Sequence, residues 1–535
     1  MFWELVYAGT WQLIWSSLCA AAYLLSFILL LLVALASYRL FLHPLSCIPG
    51  PRLAAISNAW QAYHARNGRM AHLGRTLHEK YGPVVRVGPE EVWFNSREAY
   101  KAIYSMFCAG SGLNKADFYL ATALTKPRID WLLRLEFPDS LDLLSERDTA
   151  RYRRQRRLIG PLYQTSHLIK FEPIVDNVLT KAIARLKSLD GAEVDLKEWM
   201  HIIAVECLSA IVISWSPGFL KLGTDRGTSS HSYQGWRRKS VLGLFPAISR
   251  LAFRFKSVGR WFSVLFGVTF ETPKNFRPFF PDVNVRILRR IKAALRPDPP
   301  KDDRRDLLFD LIQLHKEKEQ FTEDYLKKMA VTNFGAGHET LASTLTSVVA
   351  MIASHEKTHK TVTEEIRHTA KPTELATAAK LTHMQAAIKE AKRLHPVIAM
   401  SLPRGVPAGG LDLDGYHIPA GTTVGCNPIA LHRNEDICGP SGASYEPERW
   451  LDADAARRME RFSLSWGGGA RSCPGRHLAE LIVFKAISSV FYHFDVEVVM
   501  PPEDERREYF LSMLVGVKAR FKEKEASAER SESTP

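Results

Sequence analysis

The sequence predicts a mainly helical chain with a small β-rich lobe near its start, preceded by one membrane-spanning helix. Three observations carry that prediction. One is an apolar run close to the N-terminus; another is a long apolar stretch over 325–355 with helical character, interrupted by glycines; the last is a hairpin pattern over 84–94. Composition agrees. Hydrophobic residues make up 46% of the 535 residues, enough for a large core, and charged residues 24%, ordinary for a globular protein. No Gly- or Ser-rich linker and no internal repeat divides the body, so 53–521 reads as one large domain rather than several.

Taken in order, the first element is the anchor. Between Glu4 and Arg39 there is no charged residue, and the stretch 13–38 is long enough to cross a hydrocarbon layer about 30 Å thick as a helix. A cleaved leader would instead want a basic leading end and a shorter apolar core before a small-residue cleavage site. Positive charge follows the run, at Arg39 and Arg52, while Glu4 precedes it. The positive-inside rule then puts residues 1–12 in the lumen and the body in the cytosol, with the endoplasmic reticulum as the expected membrane and a single pass. Residues 39–52 hold His43-Pro44-Leu45 and Ile48-Pro49-Gly50-Pro51, a joint stiffened by prolines that fix φ. In the lobe, Val84-Val85-Arg86-Val87 and Val92-Trp93-Phe94 flank the turn Gly88-Pro89-Glu90-Glu91, and Ser96 is placed to cap a helix from Arg97. Short strands also fit 415–424. The segment 522–535 has no apolar periodicity and reads as a disordered, solvated tail.

Chemistry concentrates in Trp466-Gly467-Gly468-Gly469-Ala470-Arg471-Ser472-Cys473-Pro474-Gly475. Glycines let a backbone fold tightly and approach a flat macrocycle closely. A helix starting near Leu478 would set Cys473 just before its N-terminus, which favours a thiolate. A thiolate beside a cation is what a haem iron bound through cysteine requires, and such a ligand favours O–O cleavage; a structural cysteine near a turn is the plain alternative. A second constellation lies inside the 325–355 helix, at Phe334-Gly335-Ala336-Gly337-His338-Glu339-Thr340. Two glycines within a helix cost about 1 kcal/mol each relative to alanine, so a local need is expected. Ala336 and Gly337 leave room for dioxygen over a cofactor, and Thr340 and Glu339 offer a hydroxyl and an acid to move protons; a kink packed on a neighbour is the alternative. Third, Glu390 and Arg393 share a helix face at spacing i, i+3. Fourth, Tyr152-Arg153-Arg154-Gln155-Arg156-Arg157 precedes Gly160-Pro161.

Together these segments resemble the cytochrome P450 family over nearly the whole chain, from Pro44 to Phe521. The wording around His43, Arg404-Gly405-Val406-Pro407 and His432-Arg433-Asn434 looks most like the fungal microsomal branch that includes pisatin demethylase-like enzymes. Trp466 stands where the family usually has Phe. The resemblance implies a mostly helical triangular body with a β-rich lobe, and haem b held by Cys473 as axial ligand within a loop that includes Gly469 and Gly475. It implies Arg471, Tyr152 and Arg156 at the haem propionates, with Arg153 and Arg157 left open as alternatives. It places Arg449 with Glu390 and Arg393 in a buried triad that holds the cysteine loop.

The activity so implied is a monooxygenase acting on a lipophilic small molecule such as a terpenoid, polyketide or alkaloid in fungal secondary metabolism. Electrons come from NADPH through a flavoprotein reductase, with cytochrome b5 left open as a second donor. Desaturation, ring closure and detoxifying demethylation are alternatives on the same fold, and a non-enzymatic haem-binding membrane sensor is the alternative of another class. By family position the pocket draws on 112–120, 334–338, 397–402 and 511–514. Seven cysteines show neither a disulfide framework nor zinc spacing. The net charge of +14 is not arranged in a nucleic-acid module. Arg471, Arg476 and His477 instead suggest a basic face for an acidic electron donor, or for anionic lipid.

Overall fold

The computed structural model describes residues 2–105, 112–123, 128–130, 132, 135–136, 143–269, 272 and 276–524. It opens with the helix Phe2–Ser37, which runs on into a wider turn at Tyr38–Leu42. Over Thr10–Leu42 the mean hydropathy reaches 2.8, and this is the one helix among the described residues long and apolar enough to cross a membrane. It begins upstream of the expected 13–38 span, since no proline stands between Phe2 and Ser37 to end it. The joint that follows is clamped to the lobe. Arg39 donates to the Ile56 carbonyl at 2.6 Å, and Arg86 reaches back with its side chain to the Arg39 carbonyl at 2.8 Å. The Arg86 amide donates to Pro49 O at 2.8 Å. Gly50 permits that approach, because a Cβ there would come 2.2 Å from Arg86 O.

The lobe is a five-stranded sheet in the order Val84–Gly88, Glu91–Phe94, Thr423–Cys426, Arg404–Gly405, Asn114–Lys115. The expected hairpin is present, with Val85 opposite Trp93. Val84, Val92 and Phe94 pack with Val424, Cys426 and Leu431 in a small core of their own. Ser96 caps the helix Arg97–Tyr104 by accepting from the Ala99 amide at 2.9 Å. Of the 415–424 stretch, Tyr416–Ile418 pairs with Leu411–Leu413, and Thr423–Cys426 joins the main sheet parallel to Glu91–Phe94.

The body is helical and built around Glu323–Ala353, whose N-cap is Thr322. From Leu341 to Ile352 every residue of it is buried, so it needs no polar face. Leu196–Ile213, Thr382–Leu394 and Arg476–His493 pack around it. Strands Phe494–Val499, Lys518–Glu523 and Val194–Asp195 close one edge. The pairing of Asp495 with Lys522 carries that strand into the segment expected to be a tail, and 525–535 lies outside the described residues. The order therefore extends to Glu523, because cross-strand pairs such as Lys522 Nζ to Glu497 at 2.6 Å hold the polar residues that lack periodicity.

Candidate active site

Cys473 sits in a turn closed by its own amide donating to the Trp466 carbonyl at 2.7 Å. The helix Arg476–His493 starts three residues later, as expected. The sulfur is accessible. Burial of its surroundings pushes the thiol up, against the pull of the Gly475 backbone and Arg156.

The glycines of the loop divide their work. At Gly469, with φ of +56°, a Cβ would fall 1.8 Å from the Tyr104 carbonyl oxygen, so this glycine lets the loop press on the helix Arg97–Tyr104. A Cβ on Gly475 would meet only Cys473 Sγ, at 4.0 Å, and this position stays open. Trp466 carries Lys392 Nζ over its ring at 4.4 Å, and burial lowers that ammonium to about 8.

Three arginines converge on Tyr152. Arg471 lies 4.0 Å over the ring and donates to the carbonyls of Glu146 at 2.8 Å and Arg147 at 3.2 Å, tying the cysteine loop to the start of the helix Thr149–Ile159. Burial lowers it to about 10. Arg156 turns inward, where its buried Nη1 has no hydrogen-bond partner, while Arg153 and Arg157 are exposed. The third, Arg404, escaped sequence reasoning. It is buried over the rings of Tyr104 and Tyr119 and donates to Pro403 O at 3.0 Å. Burial raises the Tyr152 phenol, with Arg156, Arg471 and Arg404 all pulling it back. Its signal was a lone arginine after Pro403, which only the sheet brings to the other two.

On the central helix the constellation splits between faces. Ala336 is accessible between the buried Phe334 and His338, and Thr340, one turn on and half-buried, donates its hydroxyl back to the Ala336 carbonyl at 2.7 Å. Gly337 does not share that opening. A Cβ there would lie 3.0 Å from Leu208 Cδ1, so its smallness serves the packing of helix Leu196–Ile213 rather than room for dioxygen. His338 and Phe334 likewise turn into the core against Phe279 and Phe280, leaving Ala336 as the part of 334–338 that opens. The remaining pocket segments do meet. Ser512 N donates to Val397 O at 2.7 Å, Ile398 bridges to Leu511, and Phe118 lies 5.3 Å from Phe510.

Glu339 is buried, and neither carboxylate oxygen has a hydrogen-bond partner. Burial raises it, tempered by nearby His201 and Lys197 and by the Ser232 hydroxyl, which lies close but not in well-aligned hydrogen-bond geometry. Glu390 is the opposite case. It accepts from Arg393 Nε at 2.7 Å and Nη2 at 2.8 Å, from Arg449 Nε at 2.9 Å, from Trp450 Nε1 at 2.8 Å and from the Glu446 amide at 3.0 Å. Burial opposes ionisation, but Arg393 and the other donors hold the carboxyl below its usual range. Arg393 also donates to the carbonyls of His432, Gly442 and Ser444. His432 relays the constraint onward: its Nε2 accepts from the Leu464 amide at 2.8 Å, so its Nδ1 donates to Arg393 O at 3.1 Å. Leu464 enters the cysteine loop, and this link was not visible in the sequence.

The residues fit a haem on the donor chemistry that the protein leaves open: an accessible free cysteine, a buried guanidinium nitrogen without an acceptor, and arginines gathered for carboxylates. The comparisons agree. The model of the family Cytochrome P450 matches residues 48–521. The cytochrome P450 monooxygenase sdnT of Sordaria araneosa is 55% identical over 521 residues, covering 91% of this chain and 93% of that protein. Pisatin demethylase of Fusarium vanettenii is 30% identical over 471 residues, covering 86% and 85%. The cytochrome P450 monooxygenase hepC of Aspergillus oryzae is 28% identical, covering 87% and 90%. The chain belongs to the cytochrome P450 family and is an oxidoreductase of the oxygen-incorporating kind.

Proposed function

We propose that this protein is a haem-thiolate monooxygenase that hydroxylates or otherwise oxidises a lipophilic small molecule of fungal secondary metabolism, with electrons drawn from NADPH through a membrane-bound reductase. The observation that carries the reading is the pair of accessible patches inside the core, Cys473 on its loop and Ala336 with Thr340 on the central helix. Haem bound there supplies oxygen activation; the protein supplies binding, orientation and protons. In this reading Cys473 holds the iron, and Arg471, Arg156, Tyr152 and Arg404 hold the propionates. Thr340, whose hydroxyl hangs on Ala336 O, and Glu339, whose carboxylate has no hydrogen-bond partner, move protons toward the cleft. Segments 112–120, 397–402 and 511–514 shape an apolar pocket.

Two supports bear on setting. The apolar Thr10–Leu42 span and the basic residues after it fit a single-pass anchor in the endoplasmic reticulum with a cytosolic body. Arg476 and His477 are exposed beside the cysteine loop, a suitable landing face for an acidic donor. Demethylation is a second reading, favoured by the likeness to a protein named pisatin demethylase.

Two experiments test the proposal. Cys473→Ala is expected to abolish the red-shifted Soret band of the reduced carbon monoxide complex; persistence of that band would overturn the ligand assignment. Comparing metabolites of the producing fungus with and without the gene is expected to reveal a precursor lighter by one oxygen. Accumulation of a methyl ether would favour demethylation, and a difference of two hydrogens would replace hydroxylation by desaturation or ring closure.

A further inference from the structure

His201 on helix Leu196–Ile213 and His338 with Glu339 on helix Glu323–Ala353 form a cluster for which the haem reading gives the histidines no task. All three are buried, at 0%, 2% and 1% side-chain exposure. His201 Nε2 lies 3.0 Å from His338 Nδ1 and 3.8 Å from Glu339 Oε1, and His338 Nδ1 lies 3.5 Å from Glu339 Oε1. A circle through these three atoms has a radius of about 2.0 Å, the bond length of zinc to imidazole nitrogen or carboxylate oxygen. A cation slightly above that plane would keep a fourth position free.

Two further features point to a ligand rather than to a packed polar pair. A hydrogen bond between the two imidazoles satisfies one nitrogen of each and does nothing for Glu339, whose buried oxygens make no well-aligned hydrogen bond and have the Ser232 hydroxyl close by. Such a group is costly to leave unsatisfied. In addition, Asp225 Oδ2 stands 2.8 Å from His201 Nδ1 and is fixed by the Ser229 amide at 2.8 Å. A carboxylate this close to Nδ1 favours the tautomer with its proton there, which would turn Nε2 lone pair first into the cluster, as in a carboxylate–histidine–metal triad.

We propose that His201 Nε2, His338 Nδ1 and Glu339 Oε1 form a binding site for a divalent cation of the zinc class, with Asp225 orienting His201. The dication balances the Glu339 and Asp225 carboxylates and rivets the two helices. It also rests on the relay reading in one respect: while the cation holds Glu339, that carboxylate cannot pass a proton, so occupation of this site and proton movement through Glu339 exclude each other.

The test uses haem-loaded full-length protein, stripped with a chelator and dialysed against micromolar zinc. Elemental analysis is expected to find one zinc per chain. Zinc-edge X-ray absorption is expected to show nitrogen and oxygen neighbours only, at about 2.0–2.1 Å. His201→Ala and Glu339→Gln should each lose the zinc, and Asp225→Asn should weaken binding about 10–100-fold. The reduced carbon monoxide band reports separately whether each variant keeps its haem and fold, so the outcome does not depend on the monooxygenase reading. Wild-type protein with less than a tenth of an equivalent, sulfur neighbours at the edge, or full zinc retained in Glu339→Gln would each overturn the site. The absorption spectrum of the wild type decides even where a variant fails to fold.

Discussion

Glu390 and Glu339 are both glutamates on helices of the core, almost wholly withdrawn from water, yet the protein treats them in opposite ways. Glu390 accepts from two arginines, an indole and a backbone amide, and is held ionised. Glu339 has no hydrogen-bond partner and is pushed toward its neutral form by burial. Burial therefore says little about role by itself. A carboxylate saturated with donors is a structural rivet, because every lone pair is spent on holding neighbours; one left unsaturated keeps its capacity for a proton or a cation.

The sharpest way to break this contrast is to neutralise each in turn. Glu390→Gln leaves Arg393 and Arg449 facing an uncharged amide, so a loss on the order of 3–5 kcal/mol is expected, with failure to retain haem. Glu339→Gln, measured without added metal, should change stability by no more than about 1 kcal/mol, since it replaces a group that makes no hydrogen bond. Urea unfolding of the two variants checks both; equal losses would erase the distinction. A second test concerns acid. Because the folded state holds Glu390 below the ordinary carboxylate value, its contribution is fully present above the unfolded value near pH ~4.3 and is lost as pH falls through the folded one. Wild type should lose stability more steeply than Glu390→Gln below that point, as followed by denaturation at stepped pH.

Smaller effects refine the picture of the loop that Glu390 secures. Gly469→Ala puts a Cβ against Tyr104 O at a positive φ, a conformation costing a side chain about 1–2 kcal/mol before the clash is counted. A lowered haem content and thermal midpoint are expected. Ser96→Ala removes an N-cap in the lobe, worth about 1 kcal/mol, together with the hydroxyl's 2.7 Å bond to Asp414 Oδ2, and the carbon monoxide band should keep its position. A shifted band would show that the lobe tunes the site more directly than these contacts indicate.

Much of the architecture was legible because it rests on local rules. Ser96 caps as expected, the Val84–Gly88 strand forms the expected hairpin with Glu91–Phe94, and the 325–355 helix ends within a few residues of its pattern. The triad was legible only through family likeness, since Arg449 lies far along the chain from Glu390 and no spacing rule joins them. Three features of the site were not legible. Arg404 reaches the arginine cluster because a sheet carries it there, and His432 couples the triad to Leu464 through contacts between distant segments. Gly337 belongs to helix packing rather than to the open side of the helix, since facing direction depends on which neighbour arrives.

By itself the sequence determined the apolar span, the cysteine loop, the helix that carries Thr340 and the overall class, because hydrophobic periodicity, capping and glycine spacing act over a few residues. The tertiary structure alone decided which buried carboxylate is satisfied and which is not. Hydrogen-bond satisfaction in a dry interior is settled by the partners that three-dimensional packing brings within about 3 Å, and those partners come from segments that the chain order keeps far apart.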